Sequence, residues 1–312
     1  MSRRVALLLA AALAGPAVAG PLAWITNQGS NSVSIVDLDA AKVMREIAVG
    51  KSPAGIAVSP AAGRAFVTNP GDNSVSVIDL REQRIVDTVR AGQGAVGVAA
   101  APDGGAFFVA DWYGGALRAF DAKTLGETGR VQVGTSPAGV TVAPDGKTIY
   151  VAARDDDEIV EIDRSTLAIR ARIKVGEHPF AVELAPDGKL LLALNVISND
   201  VSIVEVSTRK ILATLPVGLA PYGVAFSADG ARAWVTLQHA ERVAEIDLRG
   251  LKVAATHATA PYPEGIAIAG STLLVVSWMD DLLVLHDAAT GKRRAEVSTG
   301  SNPRAFGRFV QP

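Results

Sequence analysis

The chain has 312 residues, with 30 basic and 32 acidic side chains, no cysteine, and 49% apolar residues. The absence of cysteine excludes lipoprotein anchoring, disulfides, thiolate metal sites and covalent c-type haem attachment. The near-neutral charge argues against general binding to nucleic acid or anionic membranes, and the apolar share is enough for a large core.

The first element is not part of the fold. Arg3 and Arg4 precede an apolar run from Val5 to Ala14, and Ala17-Val18-Ala19 follows as a small-residue cleavage site. This is the pattern of a secretory signal peptide over 1–19, cut before Gly20. The run is short for a membrane anchor and ends in Gly15-Pro16. Ser2-Arg3-Arg4 has the arginine pair of a twin-arginine signal, but Ala6 stands where a bulky apolar residue is usual. Removal of Arg3 and Arg4 leaves 28 basic against 32 acidic side chains in a soluble periplasmic or secreted protein.

From Leu22 onward the sequence is repetitive. The Gly of Val-Gly-x-x-Pro-x-Gly falls at Gly50, Gly92, Gly134, Gly176 and Gly218, with Ala260 and Gly300 continuing the series. Its Pro recurs at Pro53, Pro137, Pro179, Pro221, Pro263 and Pro303, and Ala95 fills the missing place. An acidic residue keeps the same register at Asp37, Asp79, Asp121, Asp163, Glu205, Asp247 and Asp287. Within one period, Ala54–Val58, Ala65–Asn69, Ser74–Ile78 and Ile85–Val89 have the composition of short strands. The first turn reads Ala-Pro-Asp-Gly at 101–104, 143–146 and 185–188, and Ser-Ala-Asp-Gly at 227–230. Four strands in about 42 residues make a propeller blade.

The ends set the blade count. Leu22–Asn27 aligns with second strands such as Phe66–Asn69, so the first blade lacks an innermost strand at its start. Residues 303–310 align with innermost strands and have no second strand after them. The predicted fold is therefore an all-β, seven-bladed β-propeller over 20–312, with four antiparallel strands per blade. Repeats begin near 53, 95, 137, 179, 221 and 263. Blade one combines 22–50 with 303–310, so the C-terminal strand closes the ring and removes open edges.

The segments Phe66-Val67-Thr68-Asn69, Val77-Ile78-Asp79 and Val49-Gly50-Lys51-Ser52-Pro53-Ala54-Gly55 resemble the YVTN-type β-propeller repeat. The resemblance covers residues 21–310 and implies the fold. Proteins with such repeats include periplasmic binding or accessory proteins, surface-layer proteins and relatives of haem d1-bearing and quinoprotein-associated propellers. The resemblance implies no shared catalytic signature, and the Trp-docking repeats of quinone-cofactor dehydrogenases are absent.

Candidate chemistry lies where a ring position departs from its common residue. After the repeat Pro the series is Ala54, Val96, Ala138, Phe180, Tyr222, Glu264, Arg304, and before it Ser52, Gly94, Ser136, His178, Ala220, Tyr262, Asn302. Blades five, six, seven and one thus form an aromatic and charged crescent. Its candidate ligand residues are His178, Tyr222, Tyr262, Glu264 and Arg304, suited to a small anionic or zwitterionic ligand. The competing reading is a structural Glu264–Arg304 pair with aromatics plugging the channel. Trp112, Tyr113 and Trp278 are candidate partner contacts. The run Arg154–Glu158 lacks the ligand spacing of an EF-hand and reads as a charged turn. His178, His239 and Met279 are soft ligands that could meet a copper ion near the axis.

Phosphate-binding loops, HExxH and nucleophile elbows are absent. The sequence therefore points to a monomeric, non-catalytic binding or accessory propeller without a cofactor, acting on a small ligand or a periplasmic protein. The alternative is a periplasmic enzyme, either a lactonase-type hydrolase or a redox protein with a non-covalent cofactor.

Overall fold

The computed structural model describes residues 20–312, and the expected signal peptide lies outside them. Within them the chain forms seven four-stranded antiparallel blades, one of which gains a fifth, parallel strand. Blade two shows the pattern: Gly55–Ser59 innermost, then Arg64–Asn69, Ser74–Asp79 and Arg84–Arg90. Five further blades follow the same order, with innermost strands Ala95–Ala100, Pro137–Val142, Pro179–Leu184, Pro221–Phe226 and Pro263–Ala269. Second strands are packed on both faces by neighbouring blades, so Ala65 to Asn69 are all buried, whereas the outermost strand Arg84–Arg90 is largely exposed.

Turn chemistry recurs blade by blade. On one face, Asp79 Oδ1 accepts the N–H groups of Arg81 (2.9 Å) and Glu82 (2.8 Å), and Asp121 Oδ1 those of Lys123 (2.9 Å) and Thr124 (2.6 Å). The repeating acid therefore caps the turn between third and fourth strands. On the other face, left-handed Asn73 (φ +60°) accepts the Gly94 N–H through Oδ1 at 2.7 Å, tying one blade to the entrance of the next. Asn31, Asp157, Asn199 and Asp281 make the same bond to Ser52, His178, Ala220 and Asn302. We call these the turn face and the loop face.

A threonine at the end of the second strand joins adjacent blades. Thr68 Oγ1 accepts the Gly55 N–H at 2.8 Å and donates to the Val96 carbonyl of blade three at 2.6 Å. Thr236 repeats this with Gly223 and Glu264, and Thr26 with Ala305 and Ala54. The glycine of Pro-x-Gly is needed because innermost strands converge here: a Cβ on Gly55 would lie 2.4 Å from the Val96 carbonyl oxygen.

The ring closes as expected, but not through one continuous strand. Pro303 bridges Asn27, and Val310–Gln311 pair antiparallel with Leu22–Ala23 of the strand Leu22–Asn27. Between these points Phe306–Arg308 leaves blade one and pairs parallel with Gly55–Ala57 of blade two. Seven steps along the C-terminal segment thus oppose four along its partner, and the excess is extruded toward the axis around Gly307 (φ +115°). The inserted Phe306 is 5.0 Å from Phe180 and 5.8 Å from Tyr222 between ring centroids. The sequence alignment of 303–310 carried no sign of this excursion.

Candidate functional site

The loop face gathers two groups of side chains near the axis. The first is charged. Arg304 enters from the C-terminal segment, and its Nε donates to Glu264 Oε2 at 2.6 Å while Nη2 reaches Glu264 Oε1 at 3.3 Å and the Tyr222 hydroxyl. Gln238 Nε2 donates to Glu264 Oε1 at 2.7 Å. Glu264 is buried, whereas 21% of the Arg304 side chain is exposed. Burial pushes the Glu264 carboxyl up, and the guanidinium opposes that push. Burial alone would lower Arg304, but Tyr222 and Glu264 outweigh it and hold the guanidinium above its ordinary value. We read the pair as ionised, because the carboxylate meets a forked cation and an amide donor. Among the described residues, Arg304 Nη1 has no partner.

The second group is aromatic. Phe180 lies 4.6 Å from Tyr222 and 6.3 Å from Trp112, over whose ring the Arg154 guanidinium sits at 5.5 Å. On another side Tyr262 lies 5.4 Å from both His239 and Trp278. Trp278 Nε1 donates to Gln28 Oε1 at 3.2 Å.

The structure thus brings Tyr222, Glu264 and Arg304 together and places Tyr262 in the stack with Trp278. His178 and Tyr262 share a backbone reason for their places: both stand at the blade entrance with φ of +54° and +52°. His178 is half-buried, its N–H bonds Asp157, and its Nδ1 is sealed from solvent without a partner. No hydrogen bond or ring contact links it to the Arg304 network. Trp112 and Trp278 are half-buried, while Tyr113 is 78% exposed.

The copper candidates are not assembled. His239 is exposed and tilted against the Tyr262 ring, Met279 is exposed, and neither meets His178. Among the described residues no group of three or more His, Asp or Glu side chains is placed to hold a metal ion. The acidic run is engaged locally: Asp156 Oδ2 accepts the Thr135 N–H at 2.7 Å, and Asp155 Oδ2 the Ser136 hydroxyl at 2.5 Å.

Gln238 is absent from the sequence-derived set. It belongs to a further ring series just beyond the second strand: Gln28, Pro70, Trp112, Arg154, Val196, Gln238, Trp278. Reading that series at the 42-residue spacing would have found it. A sizeable cavity also lies elsewhere. It opens on the turn face with a volume of about 600 Å³, and none of the five crescent residues lines it.

A family model described as a YNCE-like beta-propeller matches residues 3–309. The chain belongs to that family. Solved structures resemble this YNCE-like propeller over most of its length. Hydrazine synthase from Kuenenia stuttgartiensis is 22% identical, covers 85% of this chain and 92% of its own, and superposes with a TM-score of 0.78. A functionally unknown protein from Desulfotomaculum acetoxidans is 14% identical over 92% of this chain and 99% of its own, with a TM-score of 0.79. Dihydro-heme d1 dehydrogenase NirN in complex with DHE is 19% identical over 91% of this chain and 74% of its own, with a TM-score of 0.67. At these identities the likeness concerns the fold. No curated protein matches the chain. No helix among the described residues is long and apolar enough to cross a membrane.

Proposed function

We propose that this YNCE-like chain is an exported, non-catalytic binding or accessory propeller with YVTN-type repeats. Residues 1–19 direct it to the periplasm or medium, and the mature protein begins at Gly20. Its loop face takes a small anionic or zwitterionic ligand, or a partner protein presenting such a group.

The observation that carries this reading is the setting of Arg304. Glu264, Tyr222 and Gln238 hold the guanidinium network from behind, while Nη1 remains available at a partly open surface with aromatic rings around it. A preorganised donor beside flat apolar surface suits a carboxylate attached to a ring. NirN, whose fold this chain resembles, is itself in complex with DHE. Residues that follow the repeat explain turns and blade joints; this crescent departs from the repeat, and its Arg304–Glu264–Tyr222 contacts brace blades one, six and seven as well as presenting the guanidinium.

Intrinsic fluorescence provides the test. Trp24 and Trp234 are buried in blades, so quenching by a polar ligand reports Trp112 and Trp278 on the loop face. Benzoate or phenylalanine should quench saturably, and benzyl alcohol should not. Tyr262→Ala should weaken binding by about 1–3 kcal/mol. Equal responses to the three compounds would remove the anion-binding reading. A haem- or quinone-like visible band in the purified protein would instead support the redox alternative.

A further inference from the structure

The turn-face cavity differs from the loop-face crescent in both position and chemistry. Its walls are the later halves of the innermost strands, with Val140, Leu184, Phe226, Ile268 and Phe309 among the lining side chains. Phe306 also lines it, at the level where the aromatic cluster with Phe180 and Tyr222 occupies the axis.

Two charged side chains interrupt this apolar lining. One ring position runs Ala57, Ala99, Thr141, Glu183, Ala225, Ala267, Gly307, so Glu183 is the sole carboxylate in an otherwise small and uncharged series. Arg308 belongs to the extruded segment paired with blade two, and its Nη2 donates to Glu183 Oε1 of blade five at 2.6 Å. Blades two and five lie on opposite sides of the seven-fold ring, so the pair crosses the axis. Both Glu183 and Arg308 also line a smaller cavity of about 140 Å³ next to blades two to four. The ion pair is therefore a bar between a large and a small compartment.

Only Nη2 of Arg308 is engaged, and 64% of its side chain is exposed. Nε and Nη1 have no partner among the described residues. A guanidinium with a free edge at the side of an apolar cavity is suited to a carboxylate carried on a hydrocarbon body. Glu183 holds the Arg308 side chain extended across the axis, but it also competes for the fork.

We propose that this cavity is a second binding site, specific for an amphiphilic monocarboxylate whose apolar chain fills the larger compartment and whose carboxylate takes Arg308. The proposal does not rest on the loop-face reading, because the residues and the mouth are different. A volume of about 600 Å³ accommodates a medium-length chain.

Calorimetric titration of the mature protein with decanoate, 1-decanol and decyltrimethylammonium tests it. Decanoate should bind saturably at one site and at least roughly tenfold more tightly than decanol, the loss expected for one charge-assisted hydrogen bond. Arg308→Gln should remove that preference without changing the circular dichroism spectrum, since the side chain is mostly exposed. Glu183→Gln should leave decanoate binding intact or tighten it by removing the competing carboxylate. The proposal is overturned if decanoate binds no better than decanol, if the cationic probe binds best, if Arg308→Gln leaves the preference unchanged, or if none of the probes binds.

Discussion

An alanine at Gly97 would place its Cβ 1.9 Å from the Ala138 carbonyl oxygen of the adjacent blade. The obstacle is backbone on a packed innermost strand, so Gly97→Ala should cost about 1–3 kcal/mol in denaturant unfolding. Gly126 is the contrast, since its nearest neighbour to a new Cβ is Thr124 Oγ1 at 3.7 Å. Gly126→Ala should change stability by no more than about 0.5 kcal/mol. At Arg304 the argument is electrostatic. Arg304→Ala strands the buried Glu264 carboxylate without its cation and should cost about 3–5 kcal/mol. Adding Glu264→Gln removes the stranded charge, so the double variant should be less destabilised than the two single changes summed. An unchanged urea midpoint for Arg304→Ala would contradict the ionised pair. Ligand-binding assays on Arg304 variants therefore need a stability measurement beside them, and Tyr262, outside that network, is the cleaner probe.

Among the elements, the C-terminal segment does most to organise the axis. It bridges Asn27 through Pro303, places buried Phe309 under the Trp24 N–H, and completes blade one through Val310–Gln311. Deleting residues 303–312 leaves Leu22–Asn27 with an unpaired edge and removes Phe306 and Phe309 from the interior. The loss should take several kcal/mol from a domain whose whole stability is about 5–15 kcal/mol. Size-exclusion chromatography and limited proteolysis should show aggregation or rapid cleavage. A truncated chain that elutes like the full chain and has the same melting temperature would refute this account of closure.

Across the whole molecule, five of the turn-face acids share one pH response. Backbone N–H groups hold Asp79, Asp121 and Asp247 below the usual carboxylate value, and hydroxyl and backbone donors do the same for Asp163 and Asp287. A carboxyl depressed in the folded state stabilises it above the unfolded value of about 3.9 and loses that contribution as pH falls toward the folded value. Burial lowers His286, so the unfolded chain takes up that proton first. Stability should fall slightly as pH drops below about 6.5 and steeply below about 4. Thermal unfolding between pH 8 and 3 checks both steps; a melting temperature that rises below pH 4 would reverse the assigned sign.

The sequence alone determined the blade count, the strand order and the register of the repeated acids, because these depend on local chemistry that recurs every 42 residues. It also showed Tyr222, Glu264 and Arg304 to be departures from that chemistry. Only the tertiary structure decided which departures meet. Arg304 finds Glu264, Tyr222 finds Phe180, and Tyr262 joins His239, since each of these contacts crosses from one blade to another and depends on the radius at which side chains converge. The same holds for the Phe306–Arg308 excursion. A closing segment three residues longer than its partner gives no compositional signal. Where its surplus goes depends on the edge of blade two and the space on the axis, and both exist only once the ring has closed.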